Sequence, residues 1–133
     1  MADRITTDDY ISISDHLARY CWHVDNDEAD EWALLWTEDG VLTGGSEPFV
    51  GREALKGVPH AAFKAFGGKM RHFFANLHGD YGETRDTVHA RYYNMVSTWE
   101  DGGKLYCLAL AEAILVRDGG GWKIKREDLT ILI

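Results

Sequence analysis

The hydrophobic period of this chain changes at Lys69, and that change constrains its fold more than any other feature. Beyond it, residues 71–81, 87–100, 105–117 and 122–133 are rich in Phe, Tyr, Val, Ile and Trp, which suit a pleated, half-buried surface. Gly79 to Asp86, Asp101-Gly102-Gly103 and Asp118-Gly119-Gly120-Gly121 separate them, and the last two have hairpin-turn compositions. The second half therefore predicts a meander of four long strands.

Before Lys69 the period is helical. Thr6 or Thr7 can cap a first helix with Asp8 and Asp9 in its first turn, where the dipole favours negative charge. Ile13, Leu17, Tyr20 and Val24 then form one apolar stripe on a helix running to about Asp25. Asn26 and Asp27 offer a new cap, and Trp32, Leu35 and Trp36 line a second helix ending near Glu38-Asp39-Gly40. Val41-Leu42-Thr43 reads as a short strand, followed by the loop Gly44-Gly45-Ser46-Glu47-Pro48. A third helical segment spans about 52–66, with Pro59 starting a new turn and Gly67-Gly68 stopping it. Helices first and strands afterwards means α+β. The expected architecture is a strongly curved mixed sheet wrapped around three N-terminal helices, a cone whose open mouth can hold a pocket.

With 133 residues and 15.0 kDa, the chain is expected to form one domain over 1–133, without repeat or linker. The net charge of −8 and the lack of a basic stripe disfavour nucleic acid. The longest apolar stretch, 105–116, contains Glu112 and is too short to span a bilayer, so no membrane is expected. Met1-Ala2-Asp3-Arg4 lacks a secretory signal pattern, which reads as cytoplasmic. Cys21 and Cys107 form no metal motif and read as buried free thiols.

Glycine-rich nucleotide loops, the Gly-x-Ser-x-Gly elbow and the His-Glu-x-x-His zinc motif are all missing. What remains is polar side chains on apolar faces. Alternation puts His72, Phe74 and Asn76 on one strand face, opposite Arg71, Phe73 and Ala75. A titratable ring beside phenylalanines reads as a general acid or base, or else as a hydrogen-bonded core histidine. Asp25 closes the first helix, where a carboxylate opposes the dipole; such a local cost is often kept for function. Tyr20 lies five residues earlier, roughly 140° around the helix. In segment 87–100, His89, Arg91, Tyr93, Met95, Ser97 and Trp99 share one face. Val88, Ala90, Tyr92, Asn94, Val96 and Thr98 share the other, and pattern alone does not choose between them. His16, His23, His60 and His78 read as surface, and no local spacing suits a metal.

Taken in order, several pieces resemble a known family. Arg19-Tyr20, Asp25, Trp32, Leu35-Trp36 and Glu38-Asp39-Gly40-Val41 resemble the opening of the SnoaL-like group of the nuclear-transport-factor-2-like superfamily. Gly51-Arg52-Glu53-Ala54-Leu55, Arg71-His72 with Asn76, and Gly121-Trp122-Lys123-Ile124 resemble its later motifs. The resemblance implies a cystatin-like curved sheet on helices, a deep pocket and a homodimer. Its relatives include scytalone dehydratase, ketosteroid isomerase, polyketide cyclases and limonene-type epoxide hydrolases, so the fold does not choose the reaction. Tyr20, Asp25 and His72 fall at positions resembling the tyrosine, aspartate and first histidine of the scytalone dehydratase pattern. Tyr92 or His89 lies in the strand that carries its second histidine. An acid found in some cyclases falls near Asp128 or Glu127. The expectation is a cofactor-free, metal-free lyase or isomerase acting on a small hydrophobic oxygenated ligand. Asp25 and His72 would be the acid–base pair, with Tyr20 and Asn76 hydrogen-bonding the substrate oxygen. Trp36, Phe74, Tyr92 and Trp99 would line the pocket. The alternative is a non-catalytic ligand-binding or structural subunit of the same fold.

Overall fold

The computed structural model describes residues 3–133. Its first long element is α1 (Thr7–Asp25), capped by Thr6, whose hydroxyl accepts the Asp9 N–H at 3.2 Å. The apolar stripe explains why this helix buries one face: Ile13, Leu17, Tyr20 and Val24 all lie inside, together with Cys21 and Asp25. Asn26 ends it, with its side chain donating to the Trp22 carbonyl at 2.8 Å. A short helix α2 (Ala29–Ala33) follows.

One seven-stranded sheet takes up most of the remainder, in the order β1-β4-β5-β6-β7-β2-β3. Its strands are β1 (Asp3–Arg4), β2 (Trp36–Thr43), β3 (Phe49–Val50), β4 (Met70–Tyr81), β5 (Thr87–Thr98), β6 (Lys104–Asp118) and β7 (Gly121–Ile131). Every pair is antiparallel except β2 with β7. The predicted meander is thus β4 to β7. Two short edge strands, β1 and β3, carry no sequence signal of their own. Among the described residues, no helix is long and apolar enough to cross a membrane.

Two expectations shift. Trp36 begins β2 rather than closing a second helix, because parallel pairing with β7 (Trp36 opposite Ile124) overrides the local helical spacing. The Arg52 side chain holds this point by donating to the Trp36 carbonyl at 2.6 and 3.1 Å. The third helical segment forms as two pieces, α3 (Arg52–Leu55) and α4 (Gly57–Ala65). The break falls at Lys56; Pro59 sits in the first turn of α4, where its missing N–H costs nothing.

Bulges decide which residues look inward. On β5 the inner face is Val88, Ala90, Tyr92, Asn94 and Thr98, so His89, Arg91, Tyr93 and Met95 face out. On β4 the register shifts between Ala75 and His78, so that Asn76 and Leu77 together oppose Tyr92. Asn76 takes φ +59° there, a conformation asparagine tolerates, and is exposed. The inner face continues as Leu77, Gly79 and Tyr81. On β7 the register skips Lys125, because Ile114 and Leu115 pair with Arg126 and Ile124. The skip turns Glu127 and Leu129 inward where plain alternation from Trp122 and Ile124 would have turned Asp128.

The core lies between the concave sheet and α1, where Ala109, Ala111 and Ala113 of β6 leave room for Tyr20, Trp32, Trp36 and Tyr92. Ile13 is wholly buried at this contact. Ile13→Ala should lower the unfolding free energy by about 2–5 kcal/mol, read from urea denaturation with an unchanged m-value.

Candidate active site

Asp25 ends α1 facing the start of β4. Its Oδ2 accepts the His72 backbone N–H at 2.8 Å, and its Oδ1 accepts the His72 ring Nδ1–H at 2.7 Å. The carboxylate is almost fully buried and the ring largely so. Both carboxylate oxygens thus hold one residue, which fixes the ring in one orientation and leaves Nε2 as the nitrogen that can exchange a proton. This pairing of Asp25 with His72 is the one expected from the sequence.

His72 stands in the wall between two cavities. The inner one, about 260 Å³, lies inside the cone and is lined by Tyr20, Val24, Phe66, Asn94 and Leu129 among others. It is mostly apolar, and Phe66 meets Tyr106 edge-on at 4.7 Å beside it. The outer one, about 410 Å³, is a groove between α1 and β4 that reaches His72 and Asp25 past Trp22, Phe73 and Phe74.

Glu127 is the acid that the resemblance left undecided. It is fully buried beneath Tyr20. Tyr20 donates its hydroxyl to Oε1 at 2.6 Å and Tyr92 donates to Oε2. Burial pushes the Glu127 carboxyl upward, while the two phenols and nearby His72 pull it back only in part. Burial, and then the neighbouring Glu127 carboxylate, push both tyrosine hydroxyls well above their usual range, so they act as neutral donors. Asp128 lies on the other face, held by Thr43 and Arg126; the Arg126 hydrogen bond draws its carboxyl below the usual value.

The other expected site residues divide. Tyr20 lines the inner cavity. Tyr92 is buried behind it as the second clamp on Glu127, and Phe74 packs edge-on to Tyr92 at 6.4 Å while facing the outer groove. Trp36 is not a pocket wall: it is wholly buried behind Tyr20, with ring centroids 6.2 Å apart. Asn76 does not line the inner cavity, because the bulge turns it outward. Trp99 is exposed on the outer face under the Arg71 guanidinium, 4.6 Å from the ring centroid. His16 is not simply on the surface either, since its Nε2 meets the Leu35 carbonyl at 2.9 Å and burial lowers its pKa. Cys21 is buried as expected, and burial followed by the Asp25 charge pushes its thiol up to about 12, so it is inert. Among the described residues, no three His, Cys, Asp or Glu side chains converge as a metal site. Asn94 was missed as a site residue, although its place among apolar residues of one strand face was readable.

The chain is a curved α+β domain with an Asp–His pair in the wall of a mostly apolar cavity. The chain belongs to the SnoaL-like domain family, whose model matches residues 6–128. No curated protein matches it in sequence. Solved structures do match in fold. Aln2 from a Streptomyces species superposes with a TM-score of 0.88 at 20% identity, covering 96% of this chain and 93% of that one. An NTF2-like protein with a cystatin-like fold from Novosphingobium aromaticivorans gives 0.81 at 25% identity, covering 94% and 82%. A putative scytalone dehydratase from the same organism gives 0.81 at 21%, covering 96% and 89%.

The upward shift of Glu127 has a consequence for stability. A carboxyl whose folded pKa lies above its unfolded value binds protons more tightly when folded. Its contribution to stability is therefore complete below the unfolded value, 4.5, and is lost as pH rises through the folded value. The stability of wild type relative to Glu127→Gln should fall as pH rises from about 4.5 and then level off, measured by urea denaturation across pH.

Proposed function

We propose that the protein is an acid–base lyase or isomerase, of dehydratase or cyclase type, acting on a small apolar oxygenated molecule in the inner cavity. The observation that carries this reading is the double hydrogen bond from one buried Asp25 carboxylate to the backbone and ring of His72. A structural histidine needs one partner; this one is oriented at two points and keeps Nε2 free at a cavity lined mainly by apolar side chains. The neutral Nε2 takes a proton from a carbon beside a carbonyl, and the imidazolium formed is stabilised by Asp25. The same Nε2–H then returns the proton, to carbon in an isomerisation or to a departing hydroxyl, released as water, in a dehydration. The resemblance and the likeness in fold to a putative scytalone dehydratase support this class.

Positioned proton transfer contributes roughly 10²–10⁴-fold to rate. Asp25→Asn and His72→Ala should each lower turnover of a hydroxy-ketone substrate by at least about 10²-fold with the circular dichroism spectrum preserved. Near-wild-type turnover in both would leave a non-catalytic ligand carrier as the better reading.

The reading includes a homodimer formed through the convex face of the sheet. Phe73, Tyr93, Met95 and Leu132 are exposed there around a groove of about 340 Å³, a contiguous apolar patch of the kind that marks an interface. Met95→Arg should convert a dimer to a monomer in sedimentation velocity; wild type sedimenting as a monomer overturns this part.

A further inference from the structure

The inner cavity offers a ligand few hydrogens. Its polar lining is Tyr20, His72, Asn94, Tyr106 and Cys107. Tyr20 has given its hydroxyl hydrogen to Glu127, and the neutral His72 ring has given its Nδ1–H to Asp25. A thiol is a weak donor. Tyr106 is more than half exposed, so its hydroxyl can bond water instead. Asn94 differs from all of these. Its side chain is only 4% exposed, and its Oδ1 is sealed in the wall without a hydrogen-bond partner among the described residues. The Nδ2 amide bonds to no described residue either, but it is not sealed off, so its hydrogens open on the cavity. A buried amide with nothing to bond costs free energy, and a ligand acceptor at Nδ2 recovers part of it.

Strand register puts this donor beside the base. Asn94 pairs with Phe74 and Val96 with His72, so Asn94 and His72 are diagonal neighbours on one face of β4 and β5. Such positions stand about 7–8 Å apart. Side chains leave a sheet face roughly perpendicular to it, so the two tips are side by side with space between them for a carbonyl and the carbon next to it. We propose that Asn94 Nδ2 holds the carbonyl oxygen of a small, apolar, enolisable ketone while His72 takes the proton from the adjacent carbon. As that C–H bond breaks, its electron pair forms a carbon–carbon double bond and the carbonyl π pair moves to oxygen. The charge that develops there meets the Nδ2 hydrogen, a neutral donor fixed in advance in a dry site. The proton stays on Nε2 until it returns to carbon or leaves with a hydroxyl as water. The unpartnered Oδ1 is then the local cost of turning the amide nitrogen inward. This role rests on His72 acting as the base in this cavity.

The probe is 1-indanone labelled with carbon-13 at its carbonyl. Infrared difference spectra of the bound ketone report the hydrogen bond to its oxygen. NMR in heavy water reports exchange of the hydrogens beside the carbonyl. In wild type the bound carbonyl band should lie below its position in hexane, and Asn94→Leu should return it toward that position. The same variant should lower kcat for exchange about 10²-fold and change KM far less, because the bond strengthens as charge develops. Leucine is similar in size and removes the unpartnered oxygen, so the thermal midpoint should hold or rise. Asn94→Ala is the second variant should Asn94→Leu fail to fold. No saturable binding of the ketone, an unshifted band in wild type, or a shift that persists in the folded variants would overturn the proposal. The two readouts separate it from the acid–base reading. Exchange lost in His72→Ala but unchanged in Asn94→Leu, with the band still shifted, keeps that reading and removes Asn94. A band that moves back in Asn94→Leu, with exchange lacking even in wild type, removes the catalysis and supports Asn94 as the carbonyl donor.

Discussion

One carboxylate ties the two halves of the molecule together. Asp25 is the last residue of α1, and it accepts both the backbone and the ring N–H of His72 at the start of β4. The helix dipole places its negative end beside this charge, which is a local cost. Two charge-assisted hydrogen bonds across 47 residues of sequence offset it. The result fixes where α1 ends against the sheet. It also fixes His72 in the wall of the inner cavity, so the contact that closes the cone also orients the imidazole ring.

A second buried carboxylate organises the floor of the same cone. Glu127 sits where water is excluded, which favours its neutral form, yet two phenols from α1 and β5 converge on it. Tyr20 and Tyr92 are themselves too deeply buried to ionise easily, so the cluster shares hydrogens without net proton transfer. Around it the aromatic rings of Trp32 and Trp36 pack within 5.3 Å of each other and keep the cluster dry. The site is therefore built in two layers, an Asp–His pair at the wall and a tyrosine-clamped acid beneath.

Three register shifts in the meander decide the rest. The one in β4 turns Asn76 out, and the one in β7 turns Glu127 in. The third, between Val96 and Ser97 of β5, leaves Tyr106 of β6 as the extra residue, beside Phe66. Each adds a residue to one strand and inverts the alternation beyond it. The inner faces of β4 and β7 thus change parity partway along, which is how one short sheet can curve around a helix and still bury a continuous core.

The sequence by itself determined the α+β order, the four long strands and the first helix, because each rests on a local period or a turn composition readable within about a dozen residues. It also pointed to Asp25 and His72, since a charge at a helix end and a titratable ring on an apolar face are local anomalies, whereas Tyr20 was indicated only by the family resemblance. Only the tertiary structure decided that Trp36 belongs to a strand, that Trp99 and Asn76 face out, and that Glu127 rather than Asp128 is the buried acid. These depend on pairing between distant strands: the parallel partner of Trp36 lies in β7, and the shift that turns Glu127 is defined against β6. A pattern of period two carries no record of where one residue has been inserted, because that insertion exists only relative to the neighbouring strand.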